Sequence, residues 1–573
     1  VTDTGEWDLT TDVVVVGSGG GGLCAALAAR SHGLDVLVAE KAEVVGGSTA
    51  MSGGGMWIPD NPLMRAAGAP DSADRALTYF EAVVGDVGPA SSPERRRSYV
   101  ENGPRLVSFL QDLGVPFRFA DGYADYYSGA PGGSERGRTI EAHPYDTRAL
   151  GDWAPRLRPG MSTGLGLIGF GTELSAMTYY NRHPRNLAVA ARVWLRTRLA
   201  KLRGRRMVAN GAALVGRLLE LALAQDVQVR TQAPLRELVV ADGAVVGVVL
   251  GGEDGGSTRV RARGGVLLAA GGFSRNAELR ATYGGSQARS AQWSIANPGD
   301  TGEVLLQAMA AGAATDLMDE AIWLPMACLP DGRLPAYPSR QTSAFGRARW
   351  RPGSIIVDAA GRRFANEAVS TSELAQRMFA HDAESRSVPA WLVFDDAFRR
   401  RCLFGAVPGR LPQKWLDDGF VQRAGSLAEL ARLCGIDPDG LAETCRRFNG
   451  FARDGVDADF SRGESAYDRF MGDPRHGPNN CLAPVERGPF YAVAVYPCDV
   501  GTCGGVLTDA DARVLTADGV PIPGLFATGN TTASVQGRAY LGAGGSIGPT
   551  CTFGYVAANT IAAQRAETTS AAS

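Results

Sequence analysis

The residues best spaced for chemistry lie near the start of the chain. Val13-Val14-Val15-Val16 runs into Gly17-Ser18-Gly19-Gly20-Gly21-Gly22, and Glu40 closes a second apolar run, Val36 to Ala39. Gly17, Gly19 and Gly22 form a G-x-G-x-x-G pattern. The first glycine allows a tight turn after a strand. The second lets backbone approach a pyrophosphate, and the third lets the following helix, Leu23 to Arg30, pack on the strand. The helix N-terminus then faces the phosphates, and Glu40 is spaced to accept ribose hydroxyls. A glycine turn alone is a weak signal. Strand, turn, helix, strand and acid in this order are the full context of a dinucleotide-binding unit.

A second glycine-rich loop, Val45-Gly46-Gly47-Ser48-Thr49-Ala50-Met51-Ser52-Gly53-Gly54-Gly55, comes soon after Glu40-Lys41. A nicotinamide enzyme has no need of it. A flavin enzyme does, because the isoalloxazine ring lies beyond the pyrophosphate and backbone must come close to it. Small hydroxylic residues there can hydrogen-bond the ring edge, and Ser48 or Thr49 is placed to reach the reactive flavin nitrogen. Two more apolar strands run into glycine turns: Gly265-Val266-Leu267-Leu268-Ala269-Ala270-Gly271-Gly272 and Gly524-Leu525-Phe526-Ala527-Thr528-Gly529-Asn530. The pattern predicts FAD.

Further segments carry a family signature. They are Ser52-Gly53-Gly54-Gly55-Met56-Trp57-Ile58-Pro59, Asp125-Tyr126-Tyr127 followed by Pro131-Gly132-Gly133, Gly361-Arg362-Arg363-Phe364-Ala365-Asn366-Glu367, Gly488-Pro489-Phe490-Tyr491, and Gly537-Arg538-Ala539-Tyr540-Leu541-Gly542-Ala543-Gly544. Through them the chain resembles the fumarate reductase/succinate dehydrogenase flavoprotein superfamily and, within it, the 3-ketosteroid Δ1-dehydrogenase family. The motifs and the resemblance together assign FAD to Gly17, Gly19, Gly22, Glu40, Lys41, Gly46, Gly47, Ser48, Thr49, Ser52, Gly53, Gly54, Ala270, Gly271, Gly529, Asn530, Ser546 and Ile547. Some relatives attach flavin through a histidine in the Gly46–Gly55 loop. None is present here, so the FAD is expected to be non-covalent.

The resemblance also implies a reaction. Removing two hydrogens beside a ketone needs a polarised carbonyl, a base for the α-proton, and a hydride acceptor, here flavin N5. By motif the carbonyl is polarised by the Tyr540 hydroxyl and the backbone N–H of Gly544, and Tyr126 lies beside the base. Tyr123 and Tyr127 are expected to be wall residues. The following Gly545-Ser546-Ile547-Gly548-Pro549 is expected to start a helix whose positive end supports reduced flavin. The family's base is a tyrosine five residues after Asn366, where fumarate reductases carry a proton-donating arginine. This chain has Thr371 there. An aliphatic hydroxyl is far too weak an acid to serve as an oxyanion base unaided. Asn366 and Glu367 are expected to be structural or to contact FAD.

The expected activity is 1,2-desaturation of a 3-ketosteroid, with an external, quinone-like electron acceptor. Two alternatives remain open at this point. One is a related desaturase or enone reductase acting on a non-steroid polycyclic ketone. The other is a ligand-binding homologue whose catalysis is weakened by Thr371.

Composition narrows the field. At 573 residues the chain is expected to hold two domains. Charge is nearly balanced, at a formal −2, so nothing points to nucleic acid. The nine cysteines form no CxxC pair, Cys498 and Cys503 are too isolated to suggest a framework, and the histidines His32, His143, His183, His381 and His476 are scattered. No metal site is expected. No apolar run is long enough to span a bilayer and no signal segment is evident, so the expected location is cytoplasmic.

The elements that must position these residues follow. The expected fold is α/β: a Rossmann-like FAD-binding domain of the glutathione-reductase type, with an inserted α+β substrate-capping domain. The boundaries are set at 1–285 for the first part of the FAD domain, 286–500 for the cap, and 501–573 for the C-terminal part. Helices are expected between Asp71 and Leu113, with breaks at Gly88-Pro89 and Gly103-Pro104. Loops fill 120–171, an apolar helix covers Leu214 to Ala224, and strands span Val227 to Leu250 around an Asp242-Gly243 turn. The stretch 192–206, rich in arginine and leucine, has two readings: a solvated helix packed on its own domain, or a basic amphipathic helix touching a membrane surface.

Overall fold

The computed structural model describes residues 6–160, 166–252, 255–334, 347–401 and 411–572. A sheet that is parallel except at its Arg513–Leu515 edge and in an added hairpin forms its base. The order is Arg513–Leu515, Pro521–Ala527, Ser257–Leu268, Leu9–Val16, Val36–Ala39 and Gln228–Arg230. Leu9–Val16 is central, pairing Val13 with both Val36 and Gly265. Its last four residues, Val13 to Val16, are apolar and buried, as a strand covered on both faces requires. The helix Gly20–Ser31 and the long C-terminal helix Ile547–Ala572 lie against one another over this sheet. Leu235–Ala241 and Ala244–Gly251 add an antiparallel hairpin, with Asp242 at φ 50° and Gly243 at φ 77° in the expected turn.

The second layer is antiparallel: Ala321–Cys328, Phe490–Thr502, Ala390–Asp395 and Ser354–Val357, with Gln422–Ala424 on the edge of the long strand. It has its own apolar core, in which Trp323, Leu374, Trp391 and Phe448 are buried. This is the α/β base with an α+β cap that the sequence predicts. The helix Glu303–Ala310, however, packs Val304, Leu305 and Ala308 into the core that holds Val14 and Leu37. Trp293 and Ile295 already join the cap's core, so the chain touches both layers before Ala321–Cys328 carries it into the cap. The return lies beyond 500, because Phe490–Thr502 is one continuous strand.

Two local expectations need correction. The helix Pro93–Asp112 runs through Pro104 without a break. Its buried face, including Tyr99, Val100, Leu106 and Val107, offsets the hydrogen bond that proline removes. The stretch 120–171 is not all loop. Thr139–Ala142 is the centre of a three-stranded sheet with Gly55–Trp57 and Phe117–Phe119. That small sheet joins the second glycine loop to the Tyr126 segment.

The basic stretch is the second half of the helix Pro184–Leu202. Val193, Thr197 and Ala200 face inward. The larger apolar side chains do not: Leu187, Trp194, Leu195 and Leu202 are 56%, 54%, 51% and 83% exposed.

Candidate functional site

At the nucleotide end, Gly17 turns the chain at φ +108°, where a Cβ would collide with the Ala269 carbonyl, and a Cβ on Gly22 would strike Gly17 itself. These two glycines serve packing. Gly19 is different: a Cβ there would meet only Thr49 Oγ1 at 3.5 Å, and one on Gly53 would meet nothing. The helix Gly20–Ser31 begins with no side-chain cap and no acidic residue in its first turn. Its leading turn and the bare backbone of Gly19 form a cradle suited to a pyrophosphate, and Gly53 leaves open space further along the second loop.

Ser18 ties the cradle together. Its hydroxyl donates to Glu40 Oε2 at 2.5 Å and accepts from the Gly46 amide at 3.0 Å. Glu40 Oε1 accepts from the Ala42 amide at 2.9 Å. The carboxylate is thus aimed and buried where the ribose contact is expected. Lys41 lies at this end too, but its ammonium bonds Thr301 Oγ1 at 2.7 Å and the Glu303 carboxylate at 2.9 Å.

The second loop is a short helix, Gly47–Met51, with Gly46 packed against Ala50 and Val215. Thr49 Oγ1 accepts from the Gly20 amide at 3.1 Å, which binds this loop to the first glycine turn. Ser52 Oγ donates to the Thr49 carbonyl at 2.6 Å and accepts from Gly54 N at 3.0 Å. Ser48 Oγ donates to Asp300 Oδ2 at 2.9 Å. Asp300 is buried, and burial pushes its carboxyl up to about 7 against the pull of Ser48, Asn297 and Lys41. It also lies against Gly271. Ala270 N donates to Thr531 Oγ1 at 3.1 Å. Gly529, Asn530 and Ser546 line one cavity together with Tyr540, and Ile547 opens the helix that follows. The predicted segments therefore meet in one cleft, and the set suits FAD.

The other end of the cleft is aromatic. The Tyr126 amide donates to the Leu541 carbonyl at 3.0 Å, and the Tyr79 hydroxyl shares that acceptor at 2.9 Å. The rings of Tyr126 and Tyr540 lie 5.7 Å apart. Gly544 sits at φ +91°, pressed so closely on Gly55 that only a glycine fits. Burial raises the Tyr540 phenol to about 12, while the amides of Ser546 and Gly544 act to lower it. The backbone amides of Gly544 and Ser546 thus lie at the phenol oxygen of Tyr540, which gathers hydrogen-bond donors in one small region, the kind of group that can polarise a carbonyl.

Asp125, next to Tyr126, anchors the segment. Its Oδ1 accepts from Trp57 Nε1 at 2.8 Å, its Oδ2 accepts from Ser134 N at 3.1 Å, and Arg138 pairs with it. Arg138 also pairs with Asp71 at 2.7 Å. Burial opposes the Arg138 charge, but Asp125 and Asp71 more than offset it and hold the guanidinium protonated.

Thr371 is the first residue of the helix Thr371–His381 and is 8% exposed. The capping residue before it, Ser370, bonds the Tyr127 hydroxyl at 2.9 Å. Glu367 is fully buried between Arg363 and Arg462 and also accepts from the Ile356 amide, and Asn366 bonds Asp468. Glu367 lies in the cap's interior and Asn366 is half-buried beside it, which suits a structural role for both. Two residues at the cleft escaped the sequence reading. Asp300 follows a recognisable Asn297-Pro298-Gly299 turn, whereas Tyr467, 4.5 Å from Tyr126 by ring centroids, has no local signal at all.

Comparison with known proteins gives the family. Residues 12–547 match the FAD binding domain family. A 3-oxosteroid 1-dehydrogenase of Mycolicibacterium smegmatis is 39% identical over 97% of this chain and 98% of its own length. The chain belongs to the 3-ketosteroid Δ1-dehydrogenase family. The crystal structure of a 3-ketosteroid Δ1-dehydrogenase from Sterolibacterium denitrificans, in complex with 1,4-androstadiene-3,17-dione, superposes with a TM-score of 0.87 at 37% identity, covering 97% of this chain and all of that one. This family also shades into other cyclic ketones: a 4-oxocyclohex-2-ene-1-carboxylate 5-dehydrogenase of Sinomonas cyclohexanicum is 36% identical over 97% of the chain and 94% of its own length. The cofactor of the chain, as of the family, is FAD.

Placing a side chain on the open backbone of Gly19 tests the cradle. Gly19→Val is expected to lower the flavin content of purified protein strongly, read from the visible-to-ultraviolet absorbance ratio, while the far-ultraviolet dichroism of the apoprotein stays that of the wild type. Acid precipitation is expected to release the yellow colour into the supernatant.

Proposed function

We propose that this chain desaturates the 1,2-bond of 3-ketosteroids. The observation that carries the reading is the buried Tyr540 phenol, with the amides of Gly544 and Ser546 at its oxygen and the Tyr126 ring 5.7 Å away by centroids. Bound FAD supplies the hydride acceptor. Tyr540 and Gly544 polarise the ring ketone and hold the charge that develops on its oxygen, which acidifies the neighbouring C–H. Tyr126, beside Tyr540, is the hydroxyl assigned to the path of that proton. Thr371 takes no proton itself, because its hydroxyl is too weak an acid.

Purified protein with androst-4-ene-3,17-dione and phenazine methosulfate is expected to yield the 1,4-diene and to bleach its flavin anaerobically. Neither product nor bleaching would reject the reading. The cyclohexenone relative and the threonine at 371 favour one second reading, a smaller or non-steroid cyclic ketone. Good turnover of 4-oxocyclohexanecarboxylate beside poor steroid turnover would establish it.

Reduced flavin needs an external acceptor, for which we infer a quinone-like molecule. The helix Pro184–Leu202 supports a route to one. It exposes Trp194, Leu195 and Leu202 beside Arg198, Lys201, Arg203 and Arg205, a composition suited to an anionic lipid surface. No helix among the described residues is long and apolar enough to cross a membrane, so the contact is peripheral.

Two measurements follow. Tyr540→Phe is expected to slow flavin reduction by roughly a hundredfold, about 3 kcal/mol of barrier, at unchanged FAD content. An unaltered reductive half-reaction would leave Tyr540 a packing residue. In flotation assays the wild type is expected to rise with vesicles containing anionic phospholipid, and Leu195→Asp combined with Trp194→Asp to remain below. Equal partitioning of both proteins would refute the lipid contact.

A further inference from the structure

The proposed reaction leaves the α-proton without an obvious destination, since position 371 holds no phenol. Behind Tyr126 lies a second aromatic layer. Tyr467, on the short helix Ala466–Met471, is fully buried, and the Tyr126 hydroxyl is the hydrogen-bonding group that its own hydroxyl meets. Its ring lies 4.5 Å from that of Tyr126, and the Tyr126 hydroxyl is among the groups that act on it. Trp350, Ala368, Ala124 and Tyr123 complete the cluster.

Arg349 stands beside it, 1% exposed. Its guanidinium donates to the carbonyls of Glu367 and Val369, the latter at 2.9 Å, in the segment that leads to Thr371. Among the described residues no carboxylate pairs with it. The neighbouring buried cations, Arg363 and Arg462, by contrast share Glu367. Burial draws Arg349 down to about 10, and the two groups that most oppose this are the Tyr467 and Tyr126 phenols. Arg462 adds to the fall and Asp468 opposes it more weakly than the phenols do. A buried cation with no carboxylate in direct contact is costly, and a phenolate at Tyr126 or Tyr467 would offset that cost.

We propose that Tyr126 is the proton acceptor, and that Tyr467 and Arg349 are positioning residues that keep it ionisable, taking over the role a phenol at 371 would have. The proposal rests on the desaturase reading. In the working state one phenolate is shared between Tyr126 and Tyr467 beside the guanidinium. The α C–H bond breaks heterolytically. Its proton forms an O–H bond with the Tyr126 oxygen, and its electron pair stays with the substrate as an enolate held by Tyr540 and Gly544. The two-electron step that follows is the family's flavin chemistry and is unaltered. Water then removes the proton and restores the phenolate.

The charges around the pair set the direction of its pH dependence. Burial raises Tyr467 well above its ordinary value, Tyr123 and Asp468 add to this, and Arg349 and the Tyr126 hydroxyl oppose it. Asp468 is held by Asn366, the Gly463 amide and Ser465. Burial likewise raises Tyr126, and a charge already present on Tyr123, Tyr467 or Tyr540 raises it further, so the pair ionises only once, with the un-ionised hydroxyl left to support the phenolate. Tyr123 itself faces Arg347 and Glu141. Activity therefore rises with pH toward the phenol range, and loss of either supporting group moves that rise to higher pH.

The test compares wild type, Tyr467→Phe, Arg349→Gln and Arg349→Lys, each checked for FAD content and far-ultraviolet dichroism. For Tyr467→Phe with androst-4-ene-3,17-dione, we expect a KM near that of the wild type and a kcat lower by roughly tenfold or more at neutral pH. The rising limb of the pH profile is expected to move to higher pH. A wild-type kcat and pH profile in Tyr467→Phe would overturn the proposal. A second readout needs no substrate. Arg349→Gln has the same number of tyrosines as the wild type, and its tyrosinate absorbance is expected to appear at higher pH, with Arg349→Lys restoring the wild-type onset. An unchanged onset in Arg349→Gln would overturn the proposal even if the steroid proves not to be a substrate, so failure of the relay is distinguishable from failure of the desaturase reading.

Discussion

One backbone hydrogen bond, from the Tyr126 amide to the Leu541 carbonyl, brings the two halves of the aromatic site together. Everything that makes this bond possible is buried and highly constrained. Asp125 is locked by Trp57, Ser134 and Arg138, so the residue after it has little freedom. On the other side Gln536 holds the Tyr540 turn from within, accepting from the Leu541 amide at 3.0 Å and donating to the Gly545 carbonyl at 2.7 Å. Gly542 lies on the Trp57 ring and Gly544 on the Gly55 backbone. A displaced carbonyl-polarising pair would lose its force, because such donors act only over hydrogen-bond distances. The rigid surroundings fit that requirement.

The nucleotide end solves a different problem. A large anionic cofactor needs amides and space rather than side chains. Ser18 links the first glycine turn to Gly46 and to Glu40, so the loops that would face the pyrophosphate, the ribose and the flavin ring are referenced to one buried hydroxyl. Thr49 adds a second tie through the Gly20 amide. Its hydroxyl thus faces the phosphate turn, while Ser48 is turned to Asp300. A carboxyl raised to about 7 in such a place changes charge within the physiological range.

The cap contributes charge as well as a lid of apolar residues. Arg363, Arg462, Glu367 and Asp457 form a buried network that fixes the segment from Gly361 to Glu367. The pull of Arg363 and Arg462 overcomes burial and keeps Glu367 ionised, its pKa below the usual range, so it is a structural anion and not a base. Arg349 donates to the carbonyls of Glu367 and Val369 and faces the Tyr467 and Tyr126 phenols.

The sequence by itself determined the nucleotide-binding unit, the identity of the cofactor, the α/β class and the two segments that carry Tyr126 and Tyr540. These were legible because glycine spacing and apolar runs are local consequences of backbone geometry. It also exposed the substitution at Thr371. The continuity of the helix through Pro104 was not legible, because buried neighbours rather than local propensity hold it. The place where the chain enters the cap was hidden for the same reason, since Val304, Leu305 and Ala308 are ordinary helix residues until Val14 and Leu37 cover them. Only the tertiary structure set Tyr467 and Arg349 behind Tyr126. They are 341, 223 and 118 residues apart in the pairs Tyr126–Tyr467, Tyr126–Arg349 and Arg349–Tyr467. Proximity across such separations is decided by how two separately formed layers dock, and no local pattern encodes it.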